Sequence, residues 1–462
     1  MCIHGTTKNF CFILLSAFVF SDLARAQFSA NLGLESQSFF YRDSSTKTTQ
    51  SLNMLQIGAQ QEWQTPLFAS RFKLDAAGSV SGNERQAYLN LPEAFLSYRP
   101  LEQLQVGLGR RLFAWNDLDS EWKTGFFQPL GSQDPLRTME GGLTGIHFEW
   151  HSDHFQFTIV PVSVYVPTLG PEIREKNDKL VSPSPWFRPP RDEIYLSDEV
   201  PTVIHYNLIL PKGKDVVNNN GSAIRTVVGN KKEGVWIQAA WAYKPMNQLA
   251  FEYDRSLRTL SESDPHAEVN IRPNVAYHEV YGGDLGWTGQ QNQIFLSYFV
   301  DSPKETEHTR GWVYQRIAPA KAWGARWNSN VTYYNGDPVA VSLSFMRING
   351  GKTYDVDVDG SETHTLLGDR FLFTDAAKIR LSGSPIQIFR KNLKSSIQYL
   401  YDQDQKGGWF NAEFRYFPER TLALHLGADV LGITTNSPAQ RDQFLNEYRS
   451  NDRLYTGISY VF

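Results

Sequence analysis

The sequence predicts an all-β protein: a single antiparallel barrel that crosses a lipid bilayer with about 18 strands. Three observations predict it. Segments of about ten residues alternate apolar and polar along most of the chain, the pattern of a strand with one face in an apolar medium. No stretch beyond the N-terminus has the ~20 consecutive apolar residues that a spanning helix needs. The first 26 residues read as an export signal.

That signal has the required parts. Lys8 supplies a positive n-region, Phe10 to Phe20 form an apolar run broken only by Ser16, and Ala24-Arg25-Ala26 fits the small-residue cleavage rule, leaving Gln27 as the first mature residue. A membrane anchor is the other reading of the run, but eleven residues are too few to span. Cys2 and Cys11 both fall inside the signal. The mature chain, 27–462, is therefore read as one cysteine-free barrel, which excludes disulfides, thiolate catalysis and Cys-based metal sites. Loss of Lys8, Arg25 and Asp22 moves the formal charge from −4 to −5. This mild acidity gives no reason to expect nucleic acid as a partner.

The strands follow from period-2 alternation. Phe28, Ala30, Leu32 and Leu34 begin it. Leu104, Val106 and Leu108 continue it, then Ile294, Leu296, Tyr298 and Val300. Phe410, Ala412, Phe414 and Tyr416 are next, then Leu422, Leu424, Leu426, Ala428 and Val430. A transmembrane strand takes ~9–11 such residues, apolar outward and polar inward. At the C-terminus Leu454, Thr456, Ile458, Tyr460 and Phe462 share one face. Trp63, Trp150, Trp241, Tyr243, Trp287 and Tyr333 stand near strand ends, where interfacial aromatic girdles form.

Turn spacing sets the topology. Tight breaks fall near Thr65-Pro66, Pro100, Ser152-Asp153, Pro245-Met246, Thr288-Gly289, Gly336-Asp337, Ser384 to Lys391 and Pro418-Glu419. Nine longer segments interleave with these eight, the largest being 113–140, 166–232, 259–273, 302–317, 350–374 and 432–452. Seventeen connections join 18 strands, with short turns in the periplasm and long loops outside. Sixteen strands is the nearest alternative, because 302–333 and 364–392 alternate weakly. A lumen of this girth holds water, whereas eight strands would be filled by side chains.

Two stretches carry a family resemblance. The final strand, ending in Phe462 with Tyr460 two positions before, resembles the C-terminal signature that the barrel-assembly machinery recognises in bacterial outer-membrane proteins. Segment 93–150 reads Glu93-Ala94, Arg99-Pro100, Gly107-Leu108-Gly109-Arg110-Arg111, Trp115, Asp117, Gln128-Pro129, Asp134-Pro135 and Gly141-Gly142-Leu143-Thr144-Gly145. It resembles a pattern in large Gram-negative porin-like and alginate-export-like barrels. Arg111 stands where that pattern usually has Gln, and Asn116 where it has Gly. The resemblance covers about 60 residues and implies an integral outer-membrane location among lipid and lipopolysaccharide. It implies no particular solute.

Candidate pore-lining residues come from the inward parity. Arg326, Lys378, Arg380 and Lys394 fall on strands 12, 14 and 15; Glu149, Glu252, Asp254 and Asp284 on strands 6, 9 and 10. A basic wall facing an acidic wall would set up a transverse field that orients polar solutes. Glu93, Arg99 and Arg111 join this lining, and Asp117 opens the long aromatic-rich segment 113–140, which is expected to dip into the lumen and narrow it. Asp355-Val-Asp357-Val-Asp359-Gly360 resembles the start of a calcium loop, yet Leu366 stands where the bidentate Glu belongs, so the EF-hand pattern fails. An external structural Ca²⁺ on these aspartates is the one cofactor expectation.

No Gly-x-Ser-x-Gly, Walker loop, His-Glu-x-x-His or dinucleotide fingerprint occurs. His147, His151 and His154 cluster only within one strand and its turn. The expectation is a non-enzymatic pore for small polar or charged solutes. The alternatives are a specific exporter or importer of a polysaccharide or bulky organic solute, and a barrel that binds a surface partner through its loops.

Overall fold

Eighteen antiparallel strands form one sheet whose first and last members pair, closing it into a barrel. The computed structural model describes residues 25–40, 51–80, 86–195, 201–259, 265–305, 307–332, 338–365, 370–388, 391–434 and 443–462. The cleavage signal lies almost wholly outside them, as does Tyr333. In chain order the barrel strands are β1 (Arg25–Phe39), β2 (Ser51–Gln64), β3 (Phe68–Ser79), β4 (Ala87–Tyr98), β5 (Leu104–Arg111) and β6 (Leu143–His151). Next come β7 (Phe155–Val164), β8 (Gly221–Gly229), β9 (Gly234–Pro245), β10 (Tyr277–Thr288), β11 (Asn292–Pro303) and β12 (Ala320–Thr332). The last are β13 (Pro338–Gly350), β14 (Asp375–Ile388), β15 (Lys391–Asp402), β16 (Gly407–Tyr416), β17 (Leu422–Ile433) and β18 (Arg453–Val461).

Closure is a hydrogen-bonding requirement. Hydrocarbon offers no partner to a backbone N–H or C=O, so a spanning sheet can leave no edge. The seam runs from Asn31 opposite Val461 to Phe39 opposite Arg453. The outer surface carries the apolar faces expected from the alternation. Leu285, Leu296, Leu343, Ile379, Ile397, Leu424 and Leu426 point outward and are exposed to the bilayer side. Aromatic rows flank this belt: Tyr243, Tyr281 and Trp323 toward the long-loop end, and Trp150, Trp287 and Trp327 toward the other.

The connections fall into two sets, and all of the second but 403–406 are longer than any of the first. Those at 65–67, 99–103, 152–154, 230–233, 289–291, 333–337, 389–390 and 417–421 lie at one end. At the other end lie 40–50, 80–86, 112–142, 165–220, 246–276, 304–319, 351–374, 403–406 and 434–452. The total of 18 is as expected, but it is reached differently. Residues 221–229, read as part of a loop 166–232, form β8. The tight break expected at Pro245-Met246 opens a long loop, and the turn in its place is 230–233.

The segment expected as strand 9 leaves the barrel. Ala250–Thr259 joins a seven-stranded sheet built wholly from long-loop segments. In order its strands are Glu193–Tyr195, Pro201–Leu208, Pro265–Asn274, Ala250–Thr259, Val313–Ile317, Thr353–Val356 and Glu362–His364. Leu180, Ile204, Tyr206, Tyr253, Ala267, Ile271 and Val313 form its core. Alternation is what any half-buried strand shows, whether its apolar side meets lipid or a small core. This sheet caps the long-loop end.

The outward and inward faces should respond oppositely to charge. Leu296→Arg places a guanidinium in the lipid belt and should cost about 2–4 kcal/mol. Ser342→Arg, on the wetted inner face, should cost under about 1 kcal/mol. Urea unfolding of the refolded barrel, followed by heat-modifiable gel migration, reads both, and equal costs would contradict the facing.

Candidate functional site: a loop that crosses the lumen

Connection 112–142 folds into the barrel instead of standing above it. It contains one short helix, α1 (Asp117–Trp122). The Asn116 side chain caps it by accepting from the Asp119 N–H at 3.0 Å, and Asp117 and Asp119 place negative charge on its first turn, where the helix dipole favours it. Lys123 ends it in a left-handed conformation, φ 52°. The Asp119 carboxylate then turns the chain back, accepting from the N–H groups of Phe126 at 3.0 Å and Phe127 at 2.9 Å.

The fold of this loop gives it an apolar side. Trp115, Leu118, Phe126 and Phe127 are buried in the lumen, at 1%, 0%, 0% and 0% exposure. Phe126 packs on Phe299 of β11 with centroids 4.5 Å apart and on Phe371 of the 351–374 connection at 4.9 Å. Gly324 of β12 is required here, since a Cβ would fall 2.3 Å from the Phe345 carbonyl oxygen of β13, with Leu118 Cδ1 of the loop at 2.5 Å. Large apolar side chains inside a wet barrel can only be buried against one another, so the loop and strands β9 to β12 share one core.

Three polar tethers fix the loop. The first is Asp284 on β10, buried at 2% exposure. Its carboxylate accepts from Asn116 Nδ2 at 2.6 Å, the Asp117 N–H at 3.2 Å, Gln238 Nε2 at 2.9 Å and Ser297 Oγ at 2.5 Å. Gln238 also donates to the Trp115 carbonyl at 2.6 Å, and Arg225 to that of Ala114 at 3.0 Å. Asp117 itself meets Lys231 of the 230–233 turn at 3.0 Å. The second tether is Glu121, clamped between Arg326 at 2.5 Å and Lys378 at 2.7 Å. Burial opposes ionisation of Glu121, but Lys378 and Arg326 outweigh it and hold the carboxyl below its ordinary value.

The third tether lies on the opposite wall. Beyond Asp134, whose side chain caps a one-turn 3₁₀ helix by accepting from the Leu136 N–H, Arg137 reaches Glu35 of β1 at 3.0 Å and Asp429 of β17 at 3.6 Å. Asp134 meets Arg453 of β18 at 2.6 Å. The loop is thus a beam across the lumen, held at β9–β14 and at β1–β17–β18. A separate buried group ties the 351–374 connection to the wall. His278 on β10 meets Asp301 on β11 at 2.6 Å and Lys244 on β9 at 3.2 Å, and Arg370 meets the same Asp301 at 2.5 Å.

The inward parity read from sequence places Glu93, Arg111, Glu149, Asp284, Arg326, Lys378, Arg380 and Lys394 on the inner wall, with Arg99 in the turn after β4. Two opposed charged walls do not form. Glu252 and Asp254 are corrected outright: both sit in the cap sheet, where Glu252 pairs with Arg272 and Asp254 stands opposite Asn270. Arg111 pairs with Glu149, Glu93 accepts from Arg71 at 3.4 Å and from the Leu112 N–H at 3.3 Å, and Arg99 donates to Gln105 at 3.4 Å. The acid that answers Arg326 and Lys378 is Glu121 of the loop. Only Arg380 and Lys394 stay exposed and outside any ion pair among the described residues.

Asp355, Asp357 and Asp359 do not gather around a common point. Asp355 lies in the cap strand Thr353–Val356, while Asp357 and Asp359 turn a hairpin, Asp359 accepting from the Ser361 N–H at 2.9 Å. Among the described residues no three His, Cys, Asp or Glu side chains converge as a metal site would need. The sequence reading missed Glu35, Asp429, Arg453, Arg225 and Gln238. Glu35 and Arg453 were accessible to it, since each lies on the face opposite an apolar row already identified.

No family model matches the sequence, and no curated protein matches it. Solved structures resemble it in fold. Acinetobacter baumannii OccAB4 is 12% identical over 95% of this chain and 98% of that one, with a TM-score of 0.48. Acinetobacter baumannii OccAB3 is 11% identical over 95% and 99%, with a TM-score of 0.46, and Salmonella typhi OmpF 9% over 95% and 97%, with a TM-score of 0.41. In fold the chain is a closed 18-stranded antiparallel β-barrel with an apolar outer belt.

Proposed function

We propose that this barrel is an outer-membrane channel for small polar solutes, with a preference for anions, and that its lumen-crossing loop sets the aperture. One observation carries the reading. The loop binds the β9–β12 wall and leaves a polar path along the other side. A cavity of about 570 Å³ begins at the 289–291 turn, and one of about 600 Å³ adjoins it through Arg380 and Ser382. A third, of about 400 Å³, continues from that through Glu413 and Arg415 to Asp134 and Arg137 of the loop and Trp186 of the 165–220 connection. Arg380 and Lys394 face this path outside any ion pair among the described residues, and the one acid lining the same cavity, Glu413, is paired with Arg415. The acids nearest the loop, Glu121, Glu35 and Asp429, are held by cations. An uncompensated positive wall draws anions by raising their local concentration.

In this reading the short turns face the periplasm and the cap faces outward. Lipid and lipopolysaccharide surround the belt. The Tyr460–Phe462 ring pair, 4.8 Å apart, is the mark for the assembly machinery, and a cleaved signal delivers the chain. The expected class is transport, not catalysis.

Single-channel recording of refolded 27–462 under a salt gradient tests this directly. A steady current with an anion-directed reversal potential is expected, and Arg380→Ala with Lys394→Ala should move that potential toward cation selectivity. A folded barrel without current would sink the channel and favour a surface-binding barrel that works through its cap.

The tethers make two further predictions. Asp284→Ala removes a carboxylate that holds four donors, costing the loop about 1.5–3 kcal/mol per charge-assisted bond. Larger and noisier conductance is expected from a barrel that still migrates as folded; an unchanged current would show that the loop does not set the aperture. Glu121 has a folded-state pKa below its ordinary value of 4.5, so its stabilisation is complete above that value and is lost as pH falls through the lower one. Channel noise should therefore stay flat down to about pH 4.5 and rise below it. In Glu121→Gln that acid-induced step should be absent.

A further inference from the structure

We infer that the middle cavity of the polar path is a binding site for a doubly charged oxyanion of phosphate type, held by Lys394, Arg415 and Ser384; this rests on the channel reading and names the anion that the channel selects. The cavity, of about 600 Å³, lies against β14, β15 and β16. It shares Arg380 with the cavity at the 289–291 turn and Arg415 with the one at the loop tip, so a solute on the path passes it.

Strand register brings the cations together. Lys394 on β15 stands directly opposite Arg415 on β16, and both line the cavity. The Cβ atoms of such a pair are about 4.5–5.5 Å apart, and like charges placed so destabilise the sheet. An anion between them turns that repulsion into a clamp. The register of β14 on β15 shifts between Gly383 and Ile386, which sets Ser384 against Lys394. A bulge of this kind re-aims a side chain, and Ser384 borders the same cavity. Arg380 stands farther along β14 and donates to Ser396 at 3.2 Å.

Charge selects the guest. Three cations line the cavity, Arg380, Lys394 and Arg415, against one carboxylate, Glu413. Glu413 pairs with Arg415, and two positive charges are left. Asp75, a carboxylate on the neighbouring cavity, belongs to β3, five strands farther round the wall from β16. A phosphate group carries a charge of about −1.5 to −2 at pH 7, and its oxygens can be shared among donors from three strands. A carboxylate is a planar single charge that one guanidinium fork satisfies. Here the Nε of the Arg415 fork is already engaged by Glu413, and the Lys394 ammonium and the Ser384 hydroxyl supply the further donors.

Calorimetric titration of inorganic phosphate into the folded barrel in detergent tests the site, with acetate as a singly charged comparator. Phosphate should give saturable heat, and acetate should bind more weakly. Lys394→Gln and Arg415→Gln should each raise the half-saturating phosphate concentration about 3–5-fold. Glu413→Gln frees Arg415 and should lower it by about the same factor. Heat-modifiable migration shows whether each variant is folded, and a role in packing alone would not give opposite responses in Glu413→Gln and Arg415→Gln. No saturable heat, acetate binding as tight as phosphate, or saturation unmoved in Lys394→Gln and Arg415→Gln overturns the site. In planar bilayers phosphate should reduce the chloride current with the same half-saturation. Saturable heat without any current counts against the channel alone, and current without saturable heat against the site alone.

Discussion

The backbone of a spanning sheet has nowhere to bond but to itself, and everything else in this protein depends on that constraint. Closure forces β1 onto β18, the antiparallel pairing at that seam makes the strand number even, and side-chain direction alternates between lipid and lumen except at the register shifts in β3–β4, β6–β7 and β14–β15. With 18 strands the enclosed space is too wide for the inward side chains to fill. The protein then has to decide what occupies the lumen, and its answer is connection 112–142.

That answer combines two kinds of force. Apolar burial gives the loop its place: Phe126 packs against Phe299 and Phe371, and Phe127 against Phe299 and Trp115. Burial is not directional, so it cannot set the orientation of the loop. Orientation comes from carboxylates with defined partners. Asp284 reads the backbone of Asp117 and the side chain of Asn116 together, and a shift of one residue would leave a buried charge short of donors. The cost of that shortfall makes the position specific.

The sequence made the barrel legible because lipid imposes a period of two that no tertiary contact overrides. Side-chain parity is readable for the same reason, and it is what assigns Arg326, Lys378 and Arg380 to the inward face. What alternation could not distinguish was the medium on the apolar side. Phe251 and Tyr253 alternate like a barrel strand but pack in the small core of the cap, whereas the nine residues of β8 were hidden among the turn-forming residues around 216–221. Partnership was less legible still. That Glu121 answers Arg326 across 205 residues of sequence depends on the path of an irregular loop, for which no periodicity exists.

Pairing explains the division of labour along the lumen. Where the loop touches the wall, charges are used up in holding it, so the path beside its tip is lined by amides, paired charges and the Asp75 carboxylate. Beyond the loop, on β14 and β15, Arg380 and Lys394 are exposed and outside any ion pair among the described residues. The same barrel thus presents two zones, one with exposed cations outside any ion pair and one where most charges are paired with the loop. One rigid wall can supply both zones only because the beam consumes charge unevenly, taking Asp284, Lys378 and Arg326 on one side and Glu35, Asp429 and Arg453 on the other.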